Sequence, residues 1–441
     1  KNKTVLDDLT TEMRKADWYR RHASSEPLTT AGNLSINLQT DFKKIYHVKG
    51  LSSQLKIVTA KQTFSPKDIN LVAFTTKDST FANAHSGDLS FNFNGKGNLW
   101  TIMKKGTSFA NELMKEVDNK YLDQNKLKTF LPNLCINIKS GKDNPISNWL
   151  SMNGISFKDF FMDIDTSPQS GINGVAHLYK LKTDSLTLDT IRLTIVQDTA
   201  GVKYKAQVCN APTNKQFVFN ALADGKIYHK GADLNLLYFD DKQEKGVDMG
   251  LKCEMYDDGW TFYVTPEHPY IAYNTFNVNS DQYVFIRKDG KIYANLNLLD
   301  NNGMGVKIHS NPLATTFQDV SIQLCKLNMQ AITNVIPYTP SITGTLDAEV
   351  KFHQLDKNNK FEAEFAVKNM TYENSPMGNL SMSLLYLPSE KSEHIVNLEL
   401  KKDDKKIAEI SGSYIDKEKG IVNGDITFQH FPMNMVNGFI P

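Results

Sequence analysis

Most of this chain alternates apolar and polar residues with a period of two, and this alternation constrains the fold more than any other feature. Successive side chains of a β-strand point to opposite sides of the sheet, so such runs predict strands with one wet face and one covered face. The clearest runs are Leu34, Ile36 and Leu38; Leu89, Phe91 and Phe93; Leu134, Ile136 and Ile138; Ile191, Leu193 and Ile195; and Val247, Met249 and Leu251. The sequence therefore predicts a mainly β fold with long strands.

Short polar turns separate these runs at the places where antiparallel strands reverse. The predicted turns are Asp224-Gly225, Asp258-Gly259, Asp289-Gly290, Asn302-Gly303 and the four residues from Asp356 to Asn359. No linker rich in Pro, Gly or Ser interrupts the sequence from about Gly171 onward. We therefore expect residues 171–441 to form one continuous, repeated antiparallel meander, preceded by a β segment over residues 26–170.

Two segments have helical spacing instead. Within residues 1–25, Leu6, Leu9 and Met13 lie three or four positions apart, with acidic residues early and basic residues late, an order that suits the helix dipole. The stretch from about residue 98 to 128 repeats the helical pattern. We predict a helical N-terminal segment and an inserted helical stretch. Because its charges are mixed, we expect the inserted stretch to pack against the sheet rather than to lie on a membrane or act as a lid.

Composition and motifs exclude several classes of function. Fifty Lys and Arg stand against 49 Asp and Glu, and these charges are interspersed, so nucleic acid is not an expected partner. The ten histidines and four cysteines show no metal-ligand spacing, and no nucleophile motif or phosphate-binding loop occurs. No run of about 18 apolar residues occurs, so the sequence predicts no membrane-spanning helix. We expect a protein that is not an enzyme and that uses no metal or cofactor.

An internal repeat favours an extended β architecture. Leu324–Pro337 aligns without a gap on Phe428–Pro441, with Met, Ile and Pro identical and other apolar positions kept apolar, and Leu127–Pro132 is a weaker copy. Each copy predicts a strand, a short helical turn and a proline that ends the turn before the next strand, as in Gly344–Phe352. The sequence ends where the repeat requires another strand, so we expect a fragment of a longer protein.

The (V/F)IP unit that leads into Gly344–Phe352, together with alternating strands whose polar faces are rich in Asn, resembles the TamB-like family and its AsmA-like relatives of Gram-negative envelopes. The resemblance covers residues 171–441 well and the first part loosely. It implies a periplasmic sheet curled into an elongated apolar groove, a β-taco. It also implies an amino-terminal inner-membrane anchor, which these residues do not include, and an outer-membrane barrel partner in the translocation and assembly module.

For function, the resemblance implies transport of phospholipid acyl chains between the inner and outer membranes along the groove. The alternatives are a chaperone or scaffold that assists outer-membrane protein assembly by strand addition, and a β-sandwich module that binds glycan or protein. An open apolar face needs a cover, and an acyl chain recovers about 0.8 kcal/mol per buried methylene. Ordinary core packing would also cover it. The predicted groove lining, chosen by phase on the clearest strands, is Leu296, Leu298, Leu346, Val350, Phe352, Phe361, Phe365, Leu398 and Leu400.

Overall fold

The structure, a computed structural model, describes residues 5–17, 19–20, 27–41, 45–60, 63–310, 318–354, 359–373, 375–388, 393–415 and 420–432. The chain divides into two compact units, Lys1–Lys230 (unit 1) and Gly231–Pro441 (unit 2). The described residues form 27 strands and four helices. Neighbouring strands pair antiparallel within each unit. The predicted fold class, mainly β with long antiparallel meanders and a few short helices, is therefore confirmed, whereas the curl into a groove stays a prediction.

The described part of unit 1 contains thirteen strands and three helices. Its strands are β1 (Val5–Asp17), β2 (Leu28–Thr40), β3 (Tyr46–Thr59), β4 (Thr63–Phe64), β5 (Ile69–Thr75), β6 (Ser79–Ser86), β7 (Leu89–Lys96), β8 (Leu134–Ser140), β9 (Asp159–Ser167), β10 (Gly171–Lys182), β11 (Thr187–Asp198), β12 (Gly201–Asn210) and β13 (Phe219–Tyr228). Its helices are α1 (Leu99–Asp118), α2 (Gln124–Phe130) and α3 (Pro145–Met152).

The described part of unit 2 contains fourteen strands and one helix. Its strands are β14 (Gly231–Phe239), β15 (Lys245–Tyr256), β16 (Gly259–Ile271), β17 (Asn274–Val278), β18 (Tyr283–Arg287), β19 (Ile292–Asp300), β20 (Gly305–Ser310), β21 (Gln318–Asn328), β22 (Ile342–Gln354), β23 (Asn359–Tyr372), β24 (Ser375–Pro388), β25 (Glu393–Lys402), β26 (Lys405–Ile415) and β27 (Ile421–Phe428). Its helix is α4 (Met329–Asn334).

Strand order follows chain order within each unit. In unit 1 each strand pairs with the next, except that β3 pairs with both β4 and β5. In unit 2, β17 and β18 both lie between β16 and β19, and every later strand pairs with its predecessor. The division expected at residue 171 falls inside the β9–β10 hairpin of unit 1. This simple order means that register alone determines which side chains line up across many strands.

The prediction of a helical segment over residues 1–25 is wrong. Val5–Asp17 is strand β1, which pairs antiparallel with β2 from Val5 opposite Thr40 to Asp17 opposite Thr29. The spacing of Leu6, Leu9 and Met13 suits a helix locally. The ladder with β2 satisfies the same backbone groups, however, and tertiary context of this kind commonly overrides a local helical preference.

The inserted helical stretch is confirmed in part. It consists of two helices, α1 and α2, and α1 begins where the Asn98 side chain accepts a hydrogen bond from the Trp100 amide over 3.0 Å. The sequence analysis missed α3, an eight-residue helix capped by Asn144. The predicted turn before Pro337 is α4, whereas its copy before Pro441 lies outside the described residues.

Three of the predicted turns are confirmed, at Asp258, at Asp289-Gly290 and at Asn302-Gly303. The turn predicted at Asp224-Gly225 is wrong, because both residues lie inside β13, where Gly225 pairs with Tyr204 of β12. The large ring of Tyr204 thus stands beside a position that has no side chain. The turn predicted at Asp356 lies outside the described residues.

Candidate functional site

One side of unit 2 carries two unbroken apolar rows, which together we call the apolar face of unit 2. Directly paired residues of an antiparallel ladder point to the same side of the sheet, so the register defines these rows. The first row is Leu298, Val306, Leu324, Ala348, Phe365, Met382, Leu400, Ala408 and Phe428. The second row is Leu296, Ile308, Ile322, Val350, Ala363, Leu384, Leu398, Ile410 and Ile426. Each row runs from β19 to β27.

All nine predicted lining residues lie on this face. Six belong to the two rows themselves, namely Leu296, Leu298, Val350, Phe365, Leu398 and Leu400. The other three occupy the next positions of the same phase on β22 and β23, namely Leu346, Phe352 and Phe361. Sequence phase therefore identified one shared surface, and the role of that surface in binding lipid stays a prediction.

Burial varies along this face and is lowest on the terminal strand β27. Leu296 and Leu298 are only 7% and 8% exposed and pack in one core cluster with side chains such as Val264. The other seven predicted residues are half-buried. Ile426 and Phe428 are 62% and 64% exposed. Leu296 and Leu298 are therefore in ordinary core packing, and Leu400 packs against a second cluster formed by Met377 and Ile407. The predicted residues of β22 and β23 are partly exposed, and we call the face from β22 onward its open part.

An aromatic ladder borders the open part of the face where its strands end. The rings of Phe361 and Tyr386 stack with centroids 4.8 Å apart, and His394 stacks on Tyr386 at 5.7 Å. Tyr414 continues the stack at 5.9 Å from His394. The Tyr386 hydroxyl lies 2.7 Å from His394 Nδ1. This ladder thus places polar atoms at the boundary of an apolar surface, and the sequence analysis missed it because its members are far apart in the chain.

The other side of unit 2 is charged. Glu349 pairs directly with Glu364 in the ladder, and such like-charged neighbours destabilise a sheet unless they are compensated. A hydrogen bond from Gln323, with the Lys351 ammonium 3.4 Å from a carboxylate oxygen, lowers the pKa of Glu349. A cavity of about 450 Å³ has most of its lining on this side, including Asp347, Ser381, Ser383, Glu399 and Lys401. A wall of this kind does not suit an acyl chain.

Unit 1 has an apolar face of the same construction, which the sequence analysis did not nominate. Its first row is Leu38, Val48, Ala73, Ala82, Phe93, Ile136, Ile164, Gly174, Ile195, Tyr204 and Gly225. Its second row is Ile36, Gly50, Leu71, Ala84, Phe91, Ile138, Met162, Ala176, Leu193, Ala206 and Ala223. Leu71 and Leu193 remain 37% and 39% exposed. The alternating apolar and polar runs of unit 1 contain the pattern that could have identified this face.

Helices α1 and α2 lie over one end of the apolar face of unit 1. Ile102 of α1 is 6% exposed and occupies the space where a side chain at Gly95 of β7 would stand. Gln197 of β11 donates a hydrogen bond to the side-chain oxygen of Gln124 over 3.0 Å, and both side chains are buried. The inserted helical stretch therefore packs against the sheet, across strand ends from β7 to β11.

Among the described residues, no group of three His, Cys, Asp or Glu side chains is placed to hold a metal ion. The described helices are each too short or too polar to cross a membrane. Burial raises the pKa of the Cys135 and Cys253 thiols, so neither is activated as a nucleophile. No protein-family model, curated protein or solved structure matches the chain. The resemblance to the TamB-like family therefore rests on the sequence pattern alone.

Proposed function

We propose that the apolar faces bind lipid acyl chains, and that the protein carries phospholipid between the inner and outer membranes as a periplasmic, TamB-like component of the envelope. The observation that carries this proposal is the pair of apolar rows across β19–β27, whose predicted lining residues stay partly exposed from β22 onward. The sequence resemblance supports the periplasmic location, the inner-membrane anchor and the outer-membrane barrel partner.

The energetics of a half-exposed face favour a lipid guest. Each large apolar side chain gains roughly 1.5 to 3 kcal/mol on full burial, so a face left half-covered forgoes part of that gain at every position. An acyl chain laid along the rows recovers it and gains about 0.8 kcal/mol per buried methylene. A bilayer offers methylenes a similar gain, so exchange between membrane and face lies close to balance, as transport requires. A closed sandwich would instead bury residues such as Phe365 completely.

Native mass spectrometry of the full chain, purified from a bacterial envelope and after incubation with phospholipid vesicles, tests the proposal. We expect bound phospholipid that organic solvent extracts. Val350→Asp, which places a charge on the open face, should lose the lipid, whereas Glu364→Gln on the charged side of the neighbouring strand should keep it. A folded wild-type chain that stays free of lipid under both conditions would contradict the proposal.

One observation favours strand addition as a second candidate function. All eight residues of β27 are exposed, and Val422 reaches 76%. Within the described residues, β27 pairs with β26 along one edge only. Its other edge thus presents backbone donors and acceptors that an added strand can use. Crosslinkers placed on β27 that capture outer-membrane barrel precursors, rather than lipid, would favour this function.

A further inference from the structure

A cavity of about 430 Å³ lies on the apolar face of unit 1, beneath the first turn of α1. Its volume falls within the range of small-molecule pockets, about 300 to 1,000 Å³. The floor comes from the first apolar row, and Leu99 and Trp100 of α1 form one wall. The lining includes Tyr46, Val48, Ala73, Ala82 and Phe93. The cavity is therefore continuous with the apolar rows, and it differs from them in being partly roofed.

Two hydroxyl groups in the lining are already hydrogen-bonded within the protein. The hydroxyls of Thr75 and Thr80 lie 2.8 Å apart, and both residues are buried. Thr75 Oγ1 also accepts a hydrogen bond from the Leu99 amide over 2.9 Å, and Thr80 Oγ1 donates to the Gly97 carbonyl over 2.8 Å. These bonds fasten the start of α1 above the sheet and leave an apolar interior. Such an interior accepts a hydrocarbon chain and offers little to a polar ligand.

Exposed apolar side chains lie on α1 beside the cavity, which Trp100 lines. Trp100 is 62% exposed and Met103 is 56% exposed, although both belong to a helix whose Ile102 is buried. Tryptophan is enriched at the boundary between membrane and water, where its ring contacts lipid and its N–H remains hydrated. An exposed pair of this kind beside an apolar cavity suits contact with a bilayer surface.

Lysines outnumber acidic residues in the segments next to the cavity. Exposed lysines lie in the β5–β6 turn (Lys77) and in the second turn of α1 (Lys104 and Lys105), whereas Lys96 at the end of β7 has the opposite phase to Phe93 and points to the other side of the sheet. Asp78 is the acidic residue of these same segments, residues 75–80 and 96–106. Three cations against one anion attract the phosphate of an anionic headgroup, while the chain below it enters an apolar space.

We propose that this cavity is the loading site at which one acyl chain of an anionic phospholipid leaves a bilayer and enters the apolar face of unit 1. The inference rests on the proposed function and adds a place and a lipid class to it. Trp100 and Met103 contact the bilayer, Lys77, Lys104 and Lys105 hold the headgroup, and the first apolar row leads onward from Ala82 and Phe93. Loading therefore depends on cavity volume, on the exposed indole and on lipid charge.

The test measures the rate at which the full chain takes up fluorescent phosphatidylglycerol from vesicles. Ala82→Phe fills the cavity, and its control is the same substitution, Ala200→Phe, at an exposed position in the β11–β12 turn outside both apolar rows. Trp100→Ser removes the indole, and Met114→Ser, at a position 67% exposed on the same helix, is its control. We expect Ala82→Phe and Trp100→Ser to slow uptake on the order of tenfold, equivalent to about 1.4 kcal/mol, while the controls load at the wild-type rate.

The vesicle composition tests the lipid class. Fluorescent phosphatidylcholine in vesicles of phosphatidylcholine alone should load more slowly than fluorescent phosphatidylglycerol in vesicles that contain phosphatidylglycerol, and added salt should remove the difference. If wild-type protein takes up lipid but Ala82→Phe and Trp100→Ser load as fast as their controls, or if the two vesicle types load equally, the loading site is overturned and lipid binding stands. If wild-type protein takes up no lipid from either vesicle, the proposed function itself fails. Circular dichroism checks that each variant is folded.

Discussion

Replacing Phe365 by glutamate distinguishes an open apolar face from a closed core, because the two environments treat a carboxylate differently. Phe365 is half-buried between Ala348 and Met382 of the neighbouring strands. Losing the burial of one mostly buried aromatic side chain costs about 1.5 to 3 kcal/mol, and a carboxylate at this partly exposed position keeps access to water. We expect unit 2 to remain folded, with its free energy of unfolding lowered by about that amount.

Leu298→Glu makes the same chemical change in a closed environment. Leu298 is 8% exposed within a packed cluster, where an unpaired carboxylate costs several kcal/mol in addition to the lost packing. Urea unfolding followed by circular dichroism measures both variants, and native mass spectrometry measures their bound lipid. The reasoning is refuted if Phe365→Glu destabilises the protein as much as Leu298→Glu, or if it remains stable and retains its lipid in full.

Three further predictions concern stability. Asn144→Ala should lower the free energy of unfolding by at least about 1 kcal/mol, because the fully buried Asn144 caps α3 and donates a hydrogen bond to the Asp88 carboxylate. Thermal melting should show a loss with Asn144→Asp as well, because this change keeps the cap oxygen but sets two carboxylates side by side. Burial alone raises the pKa of Asp189, but hydrogen bonds from Lys180 and a backbone amide outweigh burial, so the pKa lies below the ordinary value of 3.8. The ionised carboxylate therefore stabilises the folded protein above pH 3.8, and this contribution disappears as the pH falls through the lowered pKa. Acid unfolding of Asp189→Asn should show no such contribution. Gly87→Ala should destabilise unit 1, because Gly87 has φ +57° and a Cβ there would collide with the Asp143 carbonyl; an unchanged melting temperature would contradict this.

The alternating pattern was enough to predict the strands and the shared face, because period two leaves one choice of which side chains point together. It could not predict burial. Leu298 and Phe365 belong to the same row, yet one lies in a closed cluster and the other is half-exposed. That difference depends on what packs above the sheet, which phase along a strand does not encode.

Local signals failed where a partner strand decided the outcome. The segment around Leu9 has helical spacing, but Leu9 pairs with Ile36 in β1–β2. Asp224-Gly225 has turn composition, but Gly225 lies opposite Tyr204 inside a strand. The cavity beneath α1 is lined by Tyr46 and Trp100, which are more than fifty residues apart in the sequence, so no local pattern predicts it.

Photo-crosslinking along β23 in living cells tests the central claim most directly. A crosslinking residue is placed in turn at each position from 362 to 367, which alternates between the two sides of the sheet. The proposed function predicts phospholipid adducts with a period of two, at Ala363, Phe365 and Val367 and absent at Glu362, Glu364 and Ala366. Adducts at none of the six positions, or equally on both sides, would contradict a lipid-binding apolar face.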